Sequence, residues 1–304
     1  MKRPPGLRGW IGCWLLALIG LASIGAGCGA RPDVVVYCAQ DQAYAEPIFA
    51  AFTAVTGIGV RAVFDSEAVK TVGLANRLLT EREHPAADVF WGNEEFQTRR
   101  LAALGVFRAS NGWAGFGQRS RRLVVGKQRP ELADIGLAGL TNAALRGRVS
   151  LAAPWFGSTA THMTALRAEW GETAWRAWCR ALAANQVFLE EGNSHVVRRV
   201  ARGEAWVGLT DSDDIISAQA DGLPVLPGPV LWRLRNTVAI LHGAPRASAA
   251  EQLFQYLQSA GVQEKLRTAG ALEAPTEWAV EPRWDDMLRD FAAAGQELRG
   301  IFAP

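Results

Sequence analysis

From Asp33 onward, runs of β-branched residues alternate with stretches of helical periodicity. A chain ordered strand, helix, strand, helix has few ways to bury both kinds of apolar face. Val34-Val35-Val36-Tyr37 reads as a strand, Tyr44 to Val55 as a helix closed by Gly57, and Ile58 to Phe64 as a second strand. Ser66 then precedes an amphipathic helix reaching about Arg82, Asp88 to Trp91 forms a short buried strand, and Glu95 to Leu104 a helix closed by Gly105. This βαβαβα order predicts an α/β fold. The pattern breaks at Gly112 to Gly117, which reads as a crossover before the strand Leu123-Val124-Val125. A second α/β series follows: Val149 to Ala152, helices Ala160 to Trp170 and Thr173 to Ala184, Val187 to Leu189, helix Ser194 to Arg202, and Trp206 to Leu209. Pro224, Pro227, Gly228 and Pro229 mark an irregular return, after which Asn236 to Leu241 reads as a strand and Ala249 to Ser259 as a helix.

The first thirty residues are of another kind. Lys2, Arg3 and Arg8 precede the apolar run Trp10 to Ile24, too short for a comfortable bilayer span, and Gly25-Ala26-Gly27 lead into Cys28. This is an export signal over 1–27. Ala26-Gly27-Cys28 resembles the lipobox of bacterial lipoproteins, with Gly25 where that motif prefers Leu, and implies acylation at Cys28. Loss of the segment takes three cations and no anion, turning the formal charge of +2 into −1. With no basic block left, nothing calls for nucleic acid. Some 277 residues remain, enough for two lobes with separate cores. Cys38 and Cys179 sit in a strand-like run and a Trp-rich helix; two buried thiols are expected, although spacing leaves a disulfide open.

Asp211-Ser212-Asp213-Asp214 places three carboxylates in four residues after an apolar run. Helix capping accounts for one or two of them. Three together in a cleft would repel one another and raise at least one pKa unless a cation sits among them, so Asp211, Asp213 and Asp214 are candidate ligand residues, the last two also for a metal. Glu67 and Lys70 lie three apart at a helix start, either as a surface pair or facing a cleft. Trp91 either packs or stacks on a ligand. The four histidines lack metal-ligand spacing, and His162 and His195 are read as cap-region side chains. Asp211-Ser212-Asp213 also has the Asp-x-Asp form of metal-dependent sugar-nucleotide transferases, but no Gly-rich phosphate loop or Gly-x-Ser-x-Gly elbow accompanies it. A calcium loop fails because Ile216 and Gly222 occupy the positions that need Gly and Glu.

Five segments carry a resemblance. VVVYCAQDQAYAEPIFAAFTAVTGIGV (34–60), PAADVFWGNEEFQTRRLAALGVF (85–107), GQRSRRLVVGK (117–127), NSHVVRRVARGEAWVGLTDSDD (193–214) and AAEQLFQYLQSAGVQEKL (249–266) together resemble the extracellular solute-binding proteins of ABC importers, in the ferric-binding branch. The resemblance implies a type II periplasmic-binding-protein-like fold, two α/β lobes joined by crossing hinge strands with the ligand cleft between them. It places lobe 1 at 33–127 and 233–275, lobe 2 at 128–232, and a C-terminal helical segment, 276–304, on lobe 2. It implies a monomeric, non-enzymatic receptor, exported to the periplasm or cell surface, that touches the membrane only through its anchor. The receptor would deliver a small solute to a permease and its ATPase. No cofactor is implied; a metal ion would enter as transported ligand.

In the ferric-binding branch a histidine after the first strand, a glutamate after the third and two tyrosines in the second lobe hold the metal. The matching positions here are Asp41, Asn93 or its neighbour Glu94, and Asp213-Asp214. The usual ligand types are replaced, though carboxylates, like phenolates, are hard donors. The family's anion pocket matches Ser158, Thr159 and Asn193 at helix starts, while Asp211 stands where the family has an asparagine and would repel an anion. The expected ligand is iron(III), another metal or a metal chelate; an organic cation or amine, or a phosphorylated solute accepted by Lys70 and the Ser158/Thr159 helix start, is the alternative.

Overall fold

The computed structural model describes residues 33–65, 70–274 and 281–303, with the backbone alone for 70–72. Within these residues lies one eight-stranded sheet, in the order β2-β1-β3-β8-β4-β7-β5-β6. The strands are β1 (Val34–Cys38), β2 (Val60–Val63), β3 (Val89–Gly92), β4 (Trp113–Gly126), β5 (Val149–Ala152), β6 (Phe188–Glu190), β7 (Val207–Asp211) and β8 (Val225–Ile240). In one half β1 pairs in parallel with β2 and β3; in the other β5 pairs in parallel with β6 and β7. The long strands β4 and β8 pair antiparallel with each other and run through both halves.

This arrangement corrects two readings of the sequence. Gly112 to Gly117 is not simply a crossover, because β4 already begins at Trp113, and the proline-rich return belongs to β8. The physical reason is edge exposure. Only Thr237 to Ile240 of β8 pair with β3, so its first half has a partner on one side alone, where proline's missing N–H is tolerated. Register shifts between Arg121, Arg122 and Val124 absorb the Pro227-Gly228-Pro229 stretch.

Helices cover both faces, which is why the short strands read as continuous apolar runs. Val34, Val36 and Cys38 face α1 (Gln42–Thr56), α8 (Ala247–Leu257) and α9 (Ala260–Thr268), whereas Val35 and Tyr37 face α2 (Lys70–Thr80) and α3 (Glu95–Ala103). In the second half Leu123 and Val125 pack under α4 (Gly157–Trp170), α5 (Glu172–Ala184) and α10 (Trp284–Phe302). Val124 faces the opposite way, toward α6 (Asn193–Ala201) and α7 (Ser212–Ala220). A smaller apolar cluster joins the halves: Phe96 of α3 meets Ala165 and Ala168 of α4 and Met287 of α10, with the Phe96 and Phe291 rings 4.9 Å apart. Cys38 and Cys179 are buried free thiols in separate cores, so no disulfide joins them. Among the described residues no helix is long and apolar enough to cross a membrane.

Candidate functional site

In open α/β sheets ligands collect beyond the carboxyl ends of parallel strands, where helix starts converge. Here five such ends meet. Asp41 follows β1, Asn93 follows β3, Gly157 to Thr159 follow β5, Glu191 to Asn193 follow β6, and Asp211, Asp213 and Asp214 lie at the end of β7; all line one cavity of about 70 Å³. Arg119 of β4, Ala152, Ala153 and Phe156 complete the lining. A single water occupies roughly 10–15 Å³ on this kind of measure, so the space suits a hydrated ion or a small polar group. Gly157 enters α4 at φ +53, a conformation that suits glycine, and a Cβ there would meet nothing within 4 Å.

Two arginines organise the cavity wall, and sequence reasoning missed both. Arg121 of β4 stands directly opposite Asp211 of β7, and its Nη1 lies 2.5 Å from Asp211 Oδ1. Two residues earlier on the same face, Arg119 places Nη1 at 2.8 Å from Asp211 Oδ2 and 3.0 Å from Asp213 Oδ2, while its Nη2 donates to the Asn93 carbonyl oxygen at 3.2 Å. Arg121 is fully buried and Arg119 nearly so. The alternation Arg119, Arg121, Leu123 was a signal that could have found them, since it puts both guanidiniums on the face of an apolar strand, where they need acidic partners.

Asp211 therefore departs from both expectations. It is the residue before α7, but its side chain makes no capping hydrogen bond; it accepts from Ser158 Oγ at 2.8 Å, Asn193 Nδ2 at 3.1 Å and Arg121 Nη1 at 2.5 Å, and Arg119 is ion-paired with it. Nor is it an uncompensated charge. Burial alone would raise its pKa, but Arg119 and Arg121 together hold it below the usual range. Arg121 also donates to Thr159 Oγ1 at 3.1 Å and Asn193 Oδ1 at 3.0 Å, drawing Ser158, Thr159 and Asn193 into one network.

Asp213 and Asp214 occupy the first turn of α7. Burial pushes Asp213 up to about 6, with Arg119 opposing and Asp211 and Asp41 reinforcing. Asp214 is raised well above the usual carboxylate range by burial, then by Asp213, Asp211 and Asp41. Oxygens of Asp211, Asp213 and Asp214 lie within 4.8 Å of one another, close enough to share a metal ion. Tyr44 of α1 was also missed from the sequence; its phenol is pushed up to about 12 by burial and by Asp213, Asp41 and Asp214.

The remaining candidates divide. Of Asn93 and Glu94 only Asn93 lines the cavity. Glu94 turns back to cap α3, accepting from Phe96 N at 2.7 Å and Gln97 N at 3.1 Å. Trp91 is buried in the first core against Phe49 and Phe116. His162 is fully buried off the cavity, held neutral with its pKa lowered to about 3 by burial and Arg121, and neither ring nitrogen has a hydrogen-bond partner among the described residues. Glu67, the Lys70 side chain, Cys28 and the signal segment lie outside the described residues.

Two α/β halves joined by crossing strands, with a polar cavity between their strand ends, define a two-lobe solute-binding protein. The chain belongs to the bacterial extracellular solute-binding proteins, whose family model matches residues 34–271. No curated protein matches it in sequence. Among solved structures it is similar to iron-bound HitA from Pseudomonas aeruginosa (TM-score 0.76, 19% identity, 88% of this chain and 99% of that one). It is also similar to the ferric binding protein from Campylobacter jejuni (TM-score 0.75, 16% identity, 88% and 99%). A third is AfuA from Actinobacillus pleuropneumoniae with fructose-6-phosphate bound (TM-score 0.72, 18% identity, 90% and 97%). The protein is thus a solute-binding component of ABC import, a family of binding proteins that work with a permease and an ATPase.

Proposed function

We propose that the cavity captures a small cationic solute, a metal ion or metal chelate before an organic amine, without chemical conversion. The observation that carries this reading is the meeting of Asp41, from the end of β1, with Asp213 and Asp214, from the end of β7. Three carboxylates brought together from two halves repel unless a cation or protons stand between them. Iron(III) belongs to this class because the donors are hard oxygens. Asn93, Ser158, Thr159, Asn193 and Asp211 line or brace the same cavity, and Glu67 and Lys70 are proposed as further ligand residues.

The lobes are proposed at 33–127 with 233–275, and at 128–232; the separate cores support two lobes, while Leu123, Val124 and Val125 pack in the second half and put the end of β4 with lobe 2. The C-terminal segment, 276–304, goes with the second lobe, since Ala294 and Leu298 enter that lobe's core. In this reading the signal over 1–27 is removed, Cys28 carries the lipid that tethers a monomeric receptor at the periplasmic or outer surface, and the permease takes the solute from the closed cleft. Cys28→Ala would then leave unprocessed or released chain; a membrane-held mature chain beginning at Arg31 would refute the anchor.

A second reading, a phosphorylated solute, has the AfuA neighbour in its favour. Elemental analysis and native mass spectrometry of protein purified without refolding separate the two. Stoichiometric metal is expected; a co-purifying organic phosphate with no metal would overturn the cation reading.

A further inference from the structure

We infer that the Asp211 carboxylate is a built-in anion that fills the oxyanion pocket of this cleft, so that the receptor takes its solute without any free phosphate-like group at the start of α4. The inference deepens the receptor reading at the same site, since it assigns that subsite and excludes one solute chemistry from it.

An oxyanion receptor needs several donors converging on one point, preferably charged ones, shielded from water. The donors around Asp211 have that form: Ser158 Oγ at 2.8 Å, Asn193 Nδ2 at 3.1 Å, Arg119 Nη1 at 2.8 Å and Arg121 Nη1 at 2.5 Å. They come from three elements, α4, α6 and two positions of β4, and Thr159 braces Arg121 from behind. Asp211 accepts three side-chain hydrogen bonds, from Ser158, Asn193 and Arg121, close to the roughly four lone-pair sites of a carboxylate, and the Arg119 guanidinium adds an ion pair. Asp211 is only 1% exposed, so the pocket holds its anion out of water.

The tether decides the selectivity. A free phosphate could reach the same donors only by displacing a carboxylate attached to β7, or by lying against it as a like charge. The backbone makes displacement unfavourable because Asp211 is fixed opposite Arg121 in the ladder. A solute with a terminal phosphate or sulfate therefore finds the start of α4 already taken. Removing the Asp211 side chain reverses the situation. Arg121 loses its ion-pair partner, whereas Arg119 retains Asp213, and a vacant, preorganised donor set faces the cavity.

The test uses inorganic phosphate and needs no knowledge of the natural solute. Isothermal titration of the wild-type exported chain with phosphate should give no binding up to about 10 mM. Asp211→Ala should bind phosphate at least about a hundredfold more tightly than wild type, the change expected when one or two charge-assisted contacts become available. Adding Arg121→Met to that variant should abolish the gain, and Asp211→Asn, which keeps the shape of the side chain, should gain less than Asp211→Ala. Circular dichroism and melting establish that each titrated variant is folded, and if Asp211→Ala does not fold, Asp211→Asn against the Asn/Met double variant carries the same comparison. Wild type binding phosphate as well as the variants do, or folded variants that gain none, would overturn the inference. Neither result bears on whether the chain is a receptor, which rests on the co-purifying solute.

Discussion

Arg121 and Asp211 face each other across neighbouring antiparallel strands, and their side chains form a fully buried ion pair with 2.5 Å between Nη1 and Oδ1. The pair is ninety residues apart in sequence. It turns what looks like part of a run of acids into a neutralised wall of the cleft. Taking away one partner of such a pair leaves a buried charge, whereas taking away both often costs little. Arg121→Met should therefore lower stability by about 3–5 kcal/mol, and the double variant Arg121→Met with Asp211→Leu should recover most of that loss. Urea unfolding of the two singles and the double measures the coupling; additive losses would count against a mutually dependent pair.

Glu94 gives a pH signature. Its carboxyl is pushed up to about 7 by burial, against the opposing effect of the Gln97 and Phe96 N–H groups. A raised carboxyl pKa means that the folded state holds a proton the unfolded chain has already lost. This contribution is fully present below about 4.5 and is lost as pH rises to about 7, on the order of 3 kcal/mol in total. Glu94→Gln keeps an acceptor for the α3 cap and removes the titration. Its melting temperature relative to wild type should rise between pH 5 and pH 8; a flat difference would remove Glu94 as the source.

Asp214 is held above the usual carboxylate range by burial and by Asp213, Asp211 and Asp41. The sign is the same: stability from the proton is present at low pH and lost as pH rises through the raised value. Asp214→Asn should raise the melting temperature of solute-free protein at pH 7.5 by on the order of 2 °C or more, with a smaller gain at pH 5. The same change should weaken the bound solute more than tenfold, the cost of one charge-assisted contact. A variant that melts lower and binds normally would make the acidic turn a structural cap.

The Phe96 and Phe291 rings touch between α3 and α10, elements attached to different halves of the sheet. Phe291→Ala should cost about 1–3 kcal/mol. If that contact belongs to the closed cleft, the solute-free variant should also show a larger radius of gyration by small-angle scattering, and its affinity for the solute should fall. An unchanged scattering curve would confine the contact to stability.

Much of the architecture is legible along the chain, for a simple reason. Short strands buried on both faces must be apolar throughout, and helices packed on one side must be periodic, so local composition determined α/β order and the positions of β1, β3, β5 and β7, whereas Asp41 was placed only by the family resemblance. The long strands were less legible. β4 passes through Gly115 and Gly117, which weaken a strand and here accompany a register shift, and β8 through Pro227 and Pro229, which a strand tolerates where one edge is unpaired. Edge status is a property of the whole sheet.

The site divides in the same way. The acidic turn at 211–214 was visible because it is contiguous in sequence, and the sequence by itself determined that carboxylates crowd at the end of β7. Only the tertiary structure decided what each carboxylate does. The register of β4 against β7 gives Asp211 to Arg121, the position two residues earlier on the same strand face gives Asp213 to Arg119, and Glu94 turns inward to its own helix. Charge is written locally, but a buried charge takes its meaning from its partners, and strand pairing fixes those partners at separations that no local pattern records.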